Sequence, residues 1–130
     1  MNSKKLFSLF LFCIILLLCF ISCNSIPKEI PENVTPEQLL RNAQESFDKL
    51  NYKAAEYYYN AAISRTISNP KMLLQAEFEL AHMYVKLKNY KKAQPILQRL
   101  LESYNAPEAQ AYPQSYKKLI ELDLEKIQQN

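Results

Sequence analysis

His82 is the one histidine in the chain, and the cysteines are Cys13, Cys19 and Cys23. A metal site needs thiolates, imidazoles or carboxylates that converge, but Cys13 and Cys19 lie in an apolar N-terminal run, apart from His82. Carboxylates come in close groups, Glu77 with Glu79 and Glu121 with Asp123 and Glu125, and paired carboxylates are what general acid–base chemistry uses. Two residues apart on a helix, however, side chains diverge by about 200°, so these groups read as solvated charges. Ser46, Ser64 and Ser103 have no base and orienting partner near them in sequence. The chain has no glycine, so neither a phosphate-cradling loop nor a dinucleotide fingerprint can form. These residues argue against an enzyme, a resident metal or cofactor, and a small-molecule substrate.

The chemistry that remains is at Cys23. Lys4 and Lys5 precede an uncharged run, Leu6 to Ser22, of 17 residues in which only Ser8 and Ser22 are polar. A bilayer span needs about 20 apolar residues, so the run has the length and flanks of an export signal over residues 1–22. Phe20-Ile21-Ser22-Cys23 resembles the bacterial lipobox, which implies acylation of Cys23 and a membrane anchor there. Leu16-Leu17-Leu18-Cys19 is a poorer candidate, with a bulky residue before its cysteine. An uncleaved N-terminal anchor and plain cleavage after Ser25 are the alternatives. Loss of the run would leave Cys23 without a thiol partner, and so no disulfide framework.

Removing residues 1–22 takes away two lysines and lowers the formal charge from +3 to +1, 14 basic against 13 acidic residues. A near-neutral balance does not suit a nucleic-acid binder, which carries a basic stripe. Residues 23–34 hold Pro27 and Pro31 and show no apolar periodicity; they read as an extended tether. Residues 35–130 then form one small domain.

Any partner-binding side chains must be held by helices. Thr35-Pro36-Glu37-Gln38 is a capping box with proline at the first helical position, and Leu39, Leu40, Ala43, Phe47 and Leu50 follow at helical spacing. Further helices are expected from about Tyr52 to Arg65, from Asn69-Pro70 to about Leu87, and from about Tyr90. The last of these contains Pro95, which predicts a late start or a bend in its first turn. A final helix over about 113–128 is expected to pack inward through Tyr116, Leu119, Ile120, Leu124 and Ile127. In the absence of glycine, Asn51 and Asn89 are expected to end helices in the left-handed cap conformation.

The segments "KLNYKAAEYYYNAA" and "KLKNYKKAQPILQRL" repeat Asn-Tyr-Lys at an offset of 38 residues, and Ala43 to Ala55 and Ala81 to Ala93 are each 12 apart. Small residues at these places let two helices cross closely. The pattern Leu80-Ala81-x2-Tyr84 followed by Ala93-x3-Leu97 resembles the tetratricopeptide repeat, whose usual period is 34 residues. The resemblance implies an all-α fold of two tetratricopeptide-like helix-turn-helix repeats plus a C-terminal capping helix, a right-handed α-solenoid. In that family the first helix of each unit lines a groove for peptides or helices. The groove here would be formed by Leu40, Gln44, Phe47 and Asp48, with Phe78, His82, Val85 and Lys86. Tyr59 reads as core, while Tyr58 points elsewhere and is a further anchor for a protein partner.

A lipid-anchored protein of this kind resembles the BamD/YfiO-like tetratricopeptide lipoproteins of the outer-membrane β-barrel assembly machinery, whose members are longer. The resemblance implies a scaffold in the cell envelope, on the periplasmic side of the outer membrane, docked on a barrel-inserting subunit. A surface-displayed lipoprotein binding an external ligand, and a periplasmic coordinator like the Tol-Pal-associated repeat proteins, are the alternatives.

Overall fold

The structure, a computed structural model, describes residues 25–130; the apolar run and Cys23 lie outside the described residues. The described chain is helical throughout its regular structure: α1 Pro36–Asp48, α2 Tyr52–Arg65, α3 Pro70–Lys86, α4 Tyr90–Ser103 and α5 Gln114–Gln128, with a 3-10 turn at Pro107–Ala111. Each helix packs on its predecessor, and α3 also packs on α5. This is the sequential packing of a helical-repeat arrangement.

Local chemistry sets the helix starts. Thr35 N–H donates to Gln38 Oε1 at 2.9 Å, and Gln38 N–H donates to Thr35 Oγ1 at 3.3 Å. Two otherwise orphaned donors are thereby satisfied. Asn51 and Asn69 cap α2 and α3 by accepting from Ala54 N–H and Met72 N–H, each at 3.2 Å. In contrast to the expected late start, α4 begins at Tyr90 with Pro95 inside it. Pro95 and Lys91 are both exposed, so water can reach the Lys91 carbonyl that lacks a donor from residue 95.

The repeated Asn-Tyr-Lys corners differ from expectation in which residue is left-handed. Leu50 and Lys88 take positive φ, 60° and 57°, whereas Asn51 and Asn89 have φ of −88° and −85°. Leu50 N–H donates to Phe47 O at 2.9 Å and Asn51 N–H to Ser46 O at 2.8 Å. Lys88 N–H donates to Val85 O at 3.0 Å and Asn89 N–H to Tyr84 O at 2.8 Å. Both corners are therefore Schellman motifs. Each asparagine must already serve as the next helix's N-cap, which requires negative φ, so the left-handed turn falls one residue earlier.

Ala43, Ala55, Ala81 and Ala93 are fully buried, which lets the paired helices approach closely. Around them Leu74, Leu80, Leu97, Leu100 and Ile120 form the main core. On α5 the inward stripe is Tyr116, Ile120, Asp123 and Ile127, with Leu124 half-buried beside it, while Leu119 stays exposed with Leu122. Leu119 thus departs from the inward position expected for it. The rotation of α5 that buries Asp123 against α3 turns Leu119 outward.

Residues 25–34 contain no helix, and they are fixed to the domain. The Arg65 guanidinium donates to the carbonyls of Val34, Ile30 and Pro31, the last at 3.1 Å. Ile30 and Val34 pack on a second small core of Leu39, Ala62 and Ala76. At the other end of the segment, Asn51 Nδ2 donates to Ser25 O at 3.1 Å.

Candidate functional site

The helices α1 and α3 hardly touch, because α2 lies between them. Over α2 they leave an open groove of about 350 Å³. From α1 it is lined by Glu37, Leu40, Arg41 and Gln44; Tyr59 of α2 forms the floor; Met72, Gln75 and Glu79 come from α3. A narrow recess continues it past Phe47, His82, Met83 and Lys86. The corresponding space between α3 and α5 is filled. There Phe78 meets Tyr116 edge to face at 5.3 Å between ring centroids, and the His82 imidazole Nδ1 lies 2.7 Å from Asp123 Oδ2. One inter-helix space is closed by its own side chains, and the other is left open.

Charge in the groove is mixed and partly sheltered. Burial pushes the Glu79 carboxyl above its ordinary value, while His82 and Lys86 pull it back. Tyr59 is pushed up to about 12, chiefly by burial and then by the Glu79 and Asp48 charges. Hydrogen bonds from the first-turn backbone and then the Thr35 hydroxyl hold Glu37 below its usual value, with burial opposing them and the Arg41 charge contributing least. The Lys86 ammonium lies 5.4 Å from the centre of the Phe47 ring, a cation–π contact that joins the lower ends of α1 and α3. Apolar walls with a few amide and charged groups suit a peptide segment, where apolar contact supplies area and polar groups fix register. Among the described residues no three His, Cys, Asp or Glu side chains come together as a metal site.

Of the expected groove residues, Leu40, Gln44, Phe47, His82 and Lys86 line the groove or its recess. Asp48 lies beside it, accepting a hydrogen bond from Gln44 Nε2 at 2.9 Å. Phe78 and Val85 do not offer a binding surface: they are 3% and 1% exposed, within the core. The packing of α5 covers that face of α3 and turns the open stripe by one residue, to Met72, Gln75, Glu79 and Lys86. Tyr58 is half-buried against both cores and faces away from the groove. The reading of Glu77, Glu79 and Asp123 as solvated charges is also corrected: Glu77 accepts two hydrogen bonds from the Arg99 guanidinium, each at 3.0 Å. Asp123 is 7% exposed, and Glu79 is half-buried.

Tyr59 is core, as expected, at 3% exposure; sequence reasoning missed Glu37 and Arg41 on α1 and, on α3, Met83 in the recess with Glu79, Gln75 and Met72 in the groove. The signal for the last three is the 3-4-7 spacing of 72, 75, 79 and 86, an amphipathic stripe offset from the more apolar one chosen.

No family model and no solved structure matches this chain. An uncharacterized protein of Treponema pallidum (strain Nichols) is 38% identical over 108 residues. The aligned part is 82% of this chain and 43% of the relative. The chain therefore spans less than half the length of a relative whose name states neither activity nor partner.

Proposed function

We propose that this protein is a lipid-anchored adaptor of the cell envelope that holds a segment of another protein in the groove between α1 and α3. The observation that carries this reading is the unfilled groove itself: its counterpart between α3 and α5 is closed by Phe78–Tyr116 and His82–Asp123. The paired alanine crossings and repeated corners support a tetratricopeptide-like assignment. Together with the lipobox-like Phe20–Cys23 they favour an accessory role in outer-membrane β-barrel assembly, with the anchor on Cys23.

The test is affinity purification of the full chain, tagged at its C-terminus, from gently solubilised envelopes. A large β-barrel protein is expected in stoichiometric amount. Gln44→Arg and Gln75→Arg place charge in the groove without disturbing the core, and each should lower partner recovery about tenfold, equivalent to ~1.4 kcal/mol. Recovery of the protein alone, with external protease removing it from intact cells, would replace this reading with a surface-displayed lipoprotein.

A further inference from the structure

The first corner differs from the second in one informative way. Both have the same Schellman backbone, but the cap residues are exchanged: Lys49-Leu50 in the first, Leu87-Lys88 in the second. In the second corner Leu87 is tucked against the core and Lys88 faces water. In the first, both side chains face water, and Leu50 is 64% exposed at a left-handed position. Tyr52 and Ile26 are exposed beside it. The corner does not need the exposed leucine, because the second corner forms with Lys88 in its place; Tyr52, matched there by Tyr90, packs one face on the Phe47 ring at 5.4 Å between centroids and leaves the rest of its ring exposed.

The cluster lies where the N-terminal chain arrives. Ser25 O accepts from Asn51 Nδ2 at this corner. Cys23 is two residues further, and two residues span at most about 7 Å. An anchor at or just before Cys23 must therefore hold this corner close to the bilayer. The two corners share one end of the stack, where Lys92 of α4 pairs with Glu56 of α2 at 2.8 Å. That end carries Lys49, Lys53, Lys86, Lys88, Lys91, Lys92 and, from the last turns of α5, Lys126, against Glu45, Asp48, Glu56, Asp123 and Glu125. An apolar tip with a surplus of lysines suits a membrane surface with anionic headgroups, where rings and alkyl stems enter the interface and ammonium groups meet phosphate.

We infer that the α1–α2 corner, through Leu50, Tyr52 and Ile26 with Lys49 and Lys53, is a membrane-interface contact that stands the helical stack on the bilayer by its lysine-rich end. The inference rests on the anchored reading proposed above. It deepens that reading by giving the domain a fixed orientation and by keeping the groove close to the membrane.

The test uses the full chain in vesicles of phosphatidylethanolamine and phosphatidylglycerol, with a genetically encoded fluorescent residue at position 50. Position 67, in the loop after α2, is the control, because Ile67 is 71% exposed at the opposite end. Nitroxide lipids should quench position 50 several-fold more than position 67. The paired charge reversal Lys49→Glu and Lys53→Glu should reduce that difference. The mass of the N-terminal peptide reports separately on acylation of Cys23. Equal quenching at both positions on an acylated chain overturns the docking and leaves the anchor intact. Preferential quenching on a chain that floats without an acyl group keeps the docking and transfers the anchor to the apolar run. A chain that does not float with vesicles overturns both.

Discussion

At Glu79 a carboxyl is half-buried between two helices that do not close over it, and burial raises its proton affinity. The folded chain then holds that proton more tightly than the unfolded chain, so protonation favours folding. The associated stability is complete below the ordinary value of 4.5 and is lost as pH rises through the raised folded value. Glu79→Gln is therefore expected to raise Tm at pH 7, with the gap to the parent closing as pH falls towards 4.5. Thermal melts across that range check it. Glu56 shows the opposite balance. Burial raises its value, but hydrogen bonds from Lys92 and Tyr84 outweigh this and hold it below normal, while the same bond to Glu56 raises Lys92. A paired carboxylate is kept charged, and one without an ion-pair partner is kept closer to neutral.

The two corners are identical in backbone and differ in what they present. Their left-handed residues, Leu50 and Lys88, each carry a Cβ in a region that costs roughly 1–2 kcal/mol outside glycine. Lys88→Gly should therefore stabilise the chain by about 1 kcal/mol in urea denaturation, since part of the gain is returned as glycine's extra unfolded-state entropy. Leu50→Gly should give a similar gain in detergent and lose the contact with the vesicle surface. The helices themselves were legible from the sequence because each boundary rests on neighbours within a few residues, as in the Thr35–Gln38 box and the Asn51 cap. The cap residues were misassigned for a local reason too: with one residue between C-cap and N-cap, asparagine could not serve both roles.

Across the whole molecule, Arg65 decides how the N-terminal segment meets the domain. Its guanidinium binds three carbonyls at once, and hydrogen bonds to a charged group are worth about 1.5–3 kcal/mol each when removed. Arg65→Met should free residues 25–34 while leaving the five helices folded. Trypsin cleavage after Lys28 is then expected to accelerate at least about tenfold, as follows from a loss of ~1.4 kcal/mol in local opening. Unchanged cleavage would mean that Ile30 and Val34 hold the segment without the arginine. Fixing this segment sets where residue 25 leaves the domain, beside the α1–α2 corner.

By itself the sequence determined the helices, the alanine crossings and the corners, because these depend on 3.6-residue periodicity and on hydrogen bonds between near neighbours. The tertiary structure alone decided which stripe of α3 stays open. Phe78 and Glu79 are adjacent in the chain, and only the seating of α5 on Phe78 distinguishes the covered residue from the one in the groove. It also decided the His82–Asp123 contact, across 41 residues, and the docking of Pro31 on Arg65, across 34. Contacts at such separations leave no period in the sequence, since they are set by how whole helices rotate to bury their apolar faces.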